Sequence, residues 1–214
     1  DNIELGMRYN TEAISVNSSL YYRRSSDIMN RTFEVEDEVT VMRFSNGGEN
    51  NTIGLETTLS KDLTDKLSFS ITGTGYYMRA DAEIMDFFYE NQYNYQLRTK
   101  LSFNASKKLS GDIQWNYFGN GQRLNTTSNA FNFMNIAMRY KVLNNKGTLS
   151  LRFRDVFRGN IYENERKSDE IVESMRWLGQ TRIAVFSFSY RFSNGDLKRR
   201  KQSGKNYSES GSLE

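Results

Sequence analysis

The chain contains no cysteine, no histidine and no proline among its 214 residues. Without cysteine there are no disulfides and no thiolate metal sites. Without histidine the commonest general base and the commonest zinc ligand are both gone. Ser-His and Asp-His catalytic constellations are therefore excluded, and no enzyme activity and no cofactor are expected. No run approaches the ~18 apolar residues of a transmembrane helix. Charge of one sign is scarce too: 29 basic against 26 acidic residues leave a net charge of +3, too balanced to suggest a nucleic-acid partner.

What the chain does have is aromatic side chains, 14% of residues, with 13 Tyr and 14 Phe, in a background whose mean hydropathy is low. Two all-β readings fit that composition. One is a soluble sandwich. The other is a membrane barrel whose polar interior residues pull the average down. The pattern along the chain separates them.

Apolar and polar residues alternate with period two in nine segments. Ile3, Leu5, Met7 and Tyr9 alternate with Glu4, Gly6 and Arg8. Ile14, Val16, Leu20 and Tyr22 follow, then Ile53, Leu55 and Leu59, then Leu67, Phe69, Ile71 and Tyr77. Tyr93 to Phe103, Ile113 to Tyr117, Met134 to Val142, Leu149 to Phe153 and Ala184 to Phe192 complete the set. Each segment is roughly ten residues or longer, the length a tilted strand needs to cross a bilayer; strands of soluble proteins are nearer five or six. Connections alternate as well. Those at Asn10-Thr11, Lys61–Asp65, Ser106–Ser110 and Leu143–Lys146 are short, and those at Asp27–Asn50, Ala80–Asn91, Asn120–Asn129 and Arg158–Gly179 are long. Membrane barrels have this order, with tight periplasmic turns and long external loops. The expected fold is an all-β, antiparallel transmembrane β-barrel wall of about nine meandering strands over residues 1–192. A polar, basic, disordered tail follows over 193–214 and lies in the periplasm. An odd strand number, and an opening at Asp1 inside a strand pattern, predict a chain cut from a larger barrel.

The faces sort by chemistry. Arg98, Arg139, Arg152, Arg154 and Arg191 all fall on the polar, lumen-facing side, where a charge avoids the ~2–4 kcal/mol cost of the lipid-facing midplane. Two roles suit these arginines: attraction of an anionic substrate, or, more commonly for lumen charges, pairing with carboxylates on neighbouring strands or on a domain inside the lumen, for which Glu4 and Glu56 are at hand on the strands. Tyr9, Tyr21, Tyr22, Tyr76, Tyr77, Tyr93, Tyr95, Tyr190 and Phe192 gather near strand ends, as in an interfacial aromatic girdle. In the connection Asp81–Tyr95, Phe87, Phe88 and Tyr89 form a candidate substrate-binding cluster, or simply pack beneath the loop. Glu163, Glu165, Asp169, Glu170 and Glu173 lack the spacing of a calcium loop, so no metal site is expected.

Several segments resemble TonB-dependent receptors of the outer-membrane β-barrel family. Gly54-Leu55-Glu56 running to Lys61-Asp62-Leu63 resembles the family's G-x-E strand and its short turn, and Lys66–Ser70 the strand after it. Arg154-Asp155-Val156-Phe157 resembles the S-D-[IV]-F segment, with Arg154 in place of the usual small residue. Val185–Phe192 resembles the closing strand before a Lys/Arg-rich tail. The resemblance covers roughly residues 1–202. It implies a Gram-negative outer-membrane barrel of 22 strands with a plug. This chain would be the C-terminal part of a nutrient transporter driven by the TonB complex. Its partners would be outer-membrane lipid, its own missing N-terminal strands and plug, and a surface lipoprotein at the mouth. A plug-less porin, scaffold or adhesin barrel is the alternative.

Overall fold

The computed structural model describes residues 1–46, 48–81, 91–123, 126–167 and 172–192. Fifteen strands occur there: β1 (Asn2–Asn10), β2 (Ile14–Ser26), β3 (Met29–Glu36), β4 (Val39–Asn46), β5 (Glu49–Thr64), β6 (Leu67–Asp81), β7 (Asn91–Asn104), β8 (Leu109–Phe118), β9 (Gly121–Arg123), β10 (Thr126–Ser128), β11 (Phe131–Val142), β12 (Gly147–Arg154), β13 (Ile161–Lys167), β14 (Val172–Leu178) and β15 (Ile183–Tyr190). Nine form one antiparallel meander, in the order β1-β2-β5-β6-β7-β8-β11-β12-β15. These are the nine strands that the alternation predicts. The sheet is open, with β1 and β15 at its edges.

Register keeps the two faces apart. Ile3 lies opposite Tyr22, Tyr22 opposite Ile53, Ile53 opposite Tyr77 and Tyr77 opposite Tyr93. Further along, Leu101 faces Ile113, Ile113 faces Ile136, Met138 faces Leu151 and Leu151 faces Phe186. One apolar surface therefore runs unbroken across the wall. It is also exposed: Leu5 is 71% accessible and Phe186 67%, while the buried apolar side chains among the described residues are only Ala80 and Ala137. A water-soluble sheet hides its large apolar side chains against a second layer. Exposure of this kind is expected of a wall whose outer face meets lipid. Polar atoms on the apolar face satisfy one another: Ser18 and Thr57 hydroxyls lie 2.9 Å apart, and Trp115 Nε1 donates to Asn132 Oδ1 at 3.2 Å.

The short turns close without proline, and hydroxyls supply their bonds. Ile14 N donates to Thr11 Oγ1 (3.0 Å), and Ser106 Oγ accepts from Lys108 N (3.2 Å) and Leu109 N (3.0 Å). Asn144 and Asn145 turn the β11–β12 hairpin at φ 53° and 67°, values that asparagine tolerates better than most residues. The β5–β6 turn is tighter than Lys61–Asp65, because β5 continues to Thr64 through a bulge.

Two expectations need correction. Long connections at 27–50, 120–129 and 158–179 are not irregular loops; each carries a strand hairpin. β3 and β4 form their own two-stranded sheet around Asp37-Glu38, whose positive φ values of 48° and 65° give a two-residue hairpin turn. β9–β10 and β13–β14 join in a four-stranded sheet. Its strands carry no period-two apolar run, and ion pairs cross the β13–β14 ladder, with Arg176 2.9 Å from Glu163 and Arg166 3.2 Å from Glu173. Second, Tyr21 and Tyr76 do not belong to the girdle. They flank Gly54 on the polar face, and the Tyr21 ring fills the space where a Cβ on Gly54 would stand. Tyr22, Tyr77, Tyr93 and Tyr95 keep their girdle positions on the apolar face, where the Tyr22 and Tyr77 hydroxyls donate to Asn51 and Asn91, each at 2.6 Å. The tail 193–214 lies outside the described residues.

This register separates two neighbouring substitutions. Phe186→Arg puts a charge among lipid tails at a cost of about 2–4 kcal/mol and is expected to abolish the heat-modifiable band of assembled barrel on unboiled gels. Ser187→Arg, on the opposite face, is expected to leave that band in place. Equal tolerance of both substitutions would contradict the lipid-facing assignment.

Candidate functional site

The inward face of the wall carries the side chains with chemistry, and its charge is uneven. On β7, β8, β11, β12 and β15 the inward positions include Arg98, Lys100, Arg139, Lys141, Arg152 and Arg154, against one carboxylate, Asp112. On β1, β2, β5 and β6 the inward charges are Arg8 and Arg23 against Glu4, Glu56 and Asp62. The wall is thus split into a cationic half and a near-neutral, hydroxyl-rich half. In the latter, Thr58 and Thr72 share a hydrogen bond of 2.9 Å and Ser60 donates to Ser70 at 3.2 Å.

Of the five arginines predicted on the polar face, Arg98, Arg139, Arg152 and Arg154 lie on this face, and Arg191 follows the end of β15. Arg139 pairs with buried Asp112 at 3.2 Å, and Asp112 also accepts from Gln114 Nε2 at 3.2 Å. Arg98 Nε donates to Asn116 Oδ1 at 3.3 Å. Arg152 sits opposite Ala137 and Arg154 opposite Ile183 in the ladder, positions without a carboxylate across the strand. Glu4 and Glu56, the carboxylates available as partners from sequence, instead accept from the hydroxyls of Ser19 and Thr74. They lie on β1 and β5, several strands away from β11 and β12. Carboxylate pairing within the wall accounts for Arg139 and leaves Arg152 and Arg154 exposed without an ion pair among the described residues.

At the hairpin end of the same face lies an aromatic cluster that the alternation holds but the reading of apolar faces passed over. Phe118 stacks on Phe131 with centroids 4.7 Å apart and reaches Phe133 at 6.2 Å; Tyr162 meets Phe131 edge-on at 6.0 Å. The signal was parity: Phe131 and Phe133 alternate with Met134 and Ile136 and so point inward. These rings seat β13 against the wall. The candidate binding residues Phe87, Phe88 and Tyr89 lie outside the described residues.

The segment Arg154-Asp155-Val156-Phe157 acts as a clamp at the root of the β13–β14 hairpin. Asp155 is 3% exposed with φ 47°. Its Oδ1 accepts from Gly159 N at 2.8 Å and its Oδ2 from Asn160 N at 3.1 Å, while Asp155 N donates to Asn135 Oδ1 at 3.0 Å. Its carbonyl accepts from Arg158 N and Arg182 N, so one residue ties both ends of the excursion to β11. Gly159 has no room for a side chain: a Cβ would stand 1.9 Å from the Asn132 carbonyl oxygen. Asp155 is therefore a structural residue. The acidic residues of β13 and β14 are likewise engaged, Glu163 with Arg176, Glu173 with Arg166 and Glu165 with Lys167 at 3.1 Å.

Compared with known protein families, residues 1–190 match the outer membrane protein beta-barrel family. The chain belongs to that family. Its place is the outer membrane, and the lipid-facing reading of the apolar surface follows from the same assignment. No curated protein and no solved structure matches it.

The clamp can be tested without a ligand. Asp155→Ala leaves the Gly159 and Asn160 amides without an acceptor, each worth about 1–3 kcal/mol when buried. Limited proteolysis of the membrane-inserted barrel is expected to nick residues 160–179 at least several-fold faster. Asp155→Asn, which keeps one acceptor oxygen, is expected to fall between. Equal nicking of all three forms would remove the clamp role.

Proposed function

We propose that this chain forms the C-terminal wall of a TonB-dependent outer-membrane transporter and acts in uptake, not catalysis. The observation that carries the reading is the nine-strand wall with both edges open. A sheet in hydrocarbon cannot leave a row of backbone groups unpaired, so β1 and β15 require further strands between them. The G-x-E strand at Gly54–Glu56, the Asp155-Val156-Phe157 clamp and the closing strand at Val185–Tyr190 occur in the order that such receptors have, which supports the finer assignment over a porin. In this reading the short turns and the tail 193–214 face the periplasm. The hairpins β3–β4, β9–β10 and β13–β14 face outward, where a surface lipoprotein has access to them. A plug fills the lumen, and the TonB complex acts on that plug.

Planar-bilayer recording on the whole gene product separates a plugged transporter from an open pore. A plugged barrel is expected to insert without steady ion conductance, and to conduct only when urea displaces the plug. Steady conductance on insertion would assign the wall to a porin instead. A matching result in cells is uptake that stops when a protonophore collapses the inner-membrane gradient.

A further inference from the structure

We infer that the cationic half of the wall makes the lumen selective for an anionic solute, one carrying two or more carboxylate or phosphate groups. The inference rests on the barrel enclosing a lumen, as proposed above, and adds the class of what passes through it. Six cations on β7, β11 and β12 face one side, and Asp112 of β8 neutralises only Arg139. Arg139 stands directly across from Ser150, and Arg152 is two residues along from that serine on the same strand face. Ala137 and Ser150 are the small residues between these arginines, so both guanidinium groups can reach one polyanion above them. Arg154 and Lys141 extend the same row in the two directions along β12 and β11. Guanidinium forks match carboxylate and phosphate oxygens in pairs. Cations lining a concave, low-dielectric wall raise the local concentration of counter-charged solute. A neutral substrate gives no reason to set six cations against one carboxylate on one half of the wall, when the other half sets Arg8 and Arg23 against Glu4, Glu56 and Asp62.

This chain has no cysteine of its own, which permits a direct reading of the local potential once any cysteine elsewhere in the whole gene product is replaced by serine. In that background, in isolated outer membranes, Ser150→Cys puts a thiol opposite Arg139, and Thr58→Cys puts one in the hydroxyl-rich half. Each is treated with an anionic sulfonate-bearing and a cationic ammonium-bearing methanethiosulfonate, with rates normalised to a free thiol. The anionic reagent is expected to be preferred about tenfold or more with Ser150→Cys at low salt. That preference should shrink in high salt, fall when Arg139→Gln and Arg152→Gln are added, and be absent with Thr58→Cys. A ratio near unity with Ser150→Cys would overturn the inference. So would failure of both reagents there while Thr58→Cys reacts, since the cationic half would then be covered by protein. Steady bilayer conductance would overturn the transporter reading alone and leave this rate ratio to stand or fall by itself.

Discussion

A peptide group in hydrocarbon has no water to bond with, and most of this structure follows from that fact. Each strand of the wall must find its N–H and C=O partners on a neighbouring strand. Ladder after ladder is therefore continuous, and among the described residues the register irregularity in the wall lies at Asp62/Thr64, beside a turn. With backbone polarity settled by pairing, side chains are free to obey the period-two rule, and each strand becomes apolar on one side and polar on the other. A conventional core is unnecessary. Ala80 and Ala137 are the buried apolar side chains among the described residues, and the stabilising apolar contact is with lipid.

The same two-sidedness creates the inward surface. Once leucines and phenylalanines point out, every other position is released from packing and can carry charge. In the half from β7 to β12 those positions became basic; in the half from β1 to β6 they became hydroxyls with a few balanced charges. Glu4 and Glu56 share the inward face with the arginines but lie on β1 and β5, which are not neighbours of β11 or β12. The segregation is a property of strand order, and a local sequence window does not reveal it.

The wall itself was legible. Nine alternating segments gave nine strands, and the short turns fell where serine, threonine and asparagine cluster. Arg98, Arg139, Arg152 and Arg154 could be placed on a face from parity alone. Three things were not legible. The hairpin β9–β10 is polar on both faces, and in β13–β14 apolar and polar residues share both faces, as Ile161 and Leu178 do with Glu163 and Arg176, so apolar alternation had nothing to register. Tyr21 and Tyr76 were grouped by their nearness to strand ends, although parity assigns them to Gly54's side. The ion-pair partner of Arg139 is Asp112 of β8, a contact fixed by which strands are neighbours and by their register.

Strand length adds a mechanical consequence. β5 has 16 residues. At a rise of about 3.3 Å per residue it is roughly 50 Å long, and a tilt of about 40° leaves roughly 40 Å along the membrane normal. The apolar band of such barrels is only about 25 Å tall. The lipid-facing side chains of β5 show where the excess goes: Ile53, Leu55 and Leu59 occupy the band, while Glu49 and Asn51 stand beyond the Tyr22 girdle, with Glu49 bonded to Arg24 at 2.6 Å. The β2–β5 pair is thus a pedestal that lifts the root of the β3–β4 hairpin clear of the hydrocarbon. Whatever the hairpin meets, it meets from a rigid, hydrogen-bonded base and not from a loop rooted at the lipid surface.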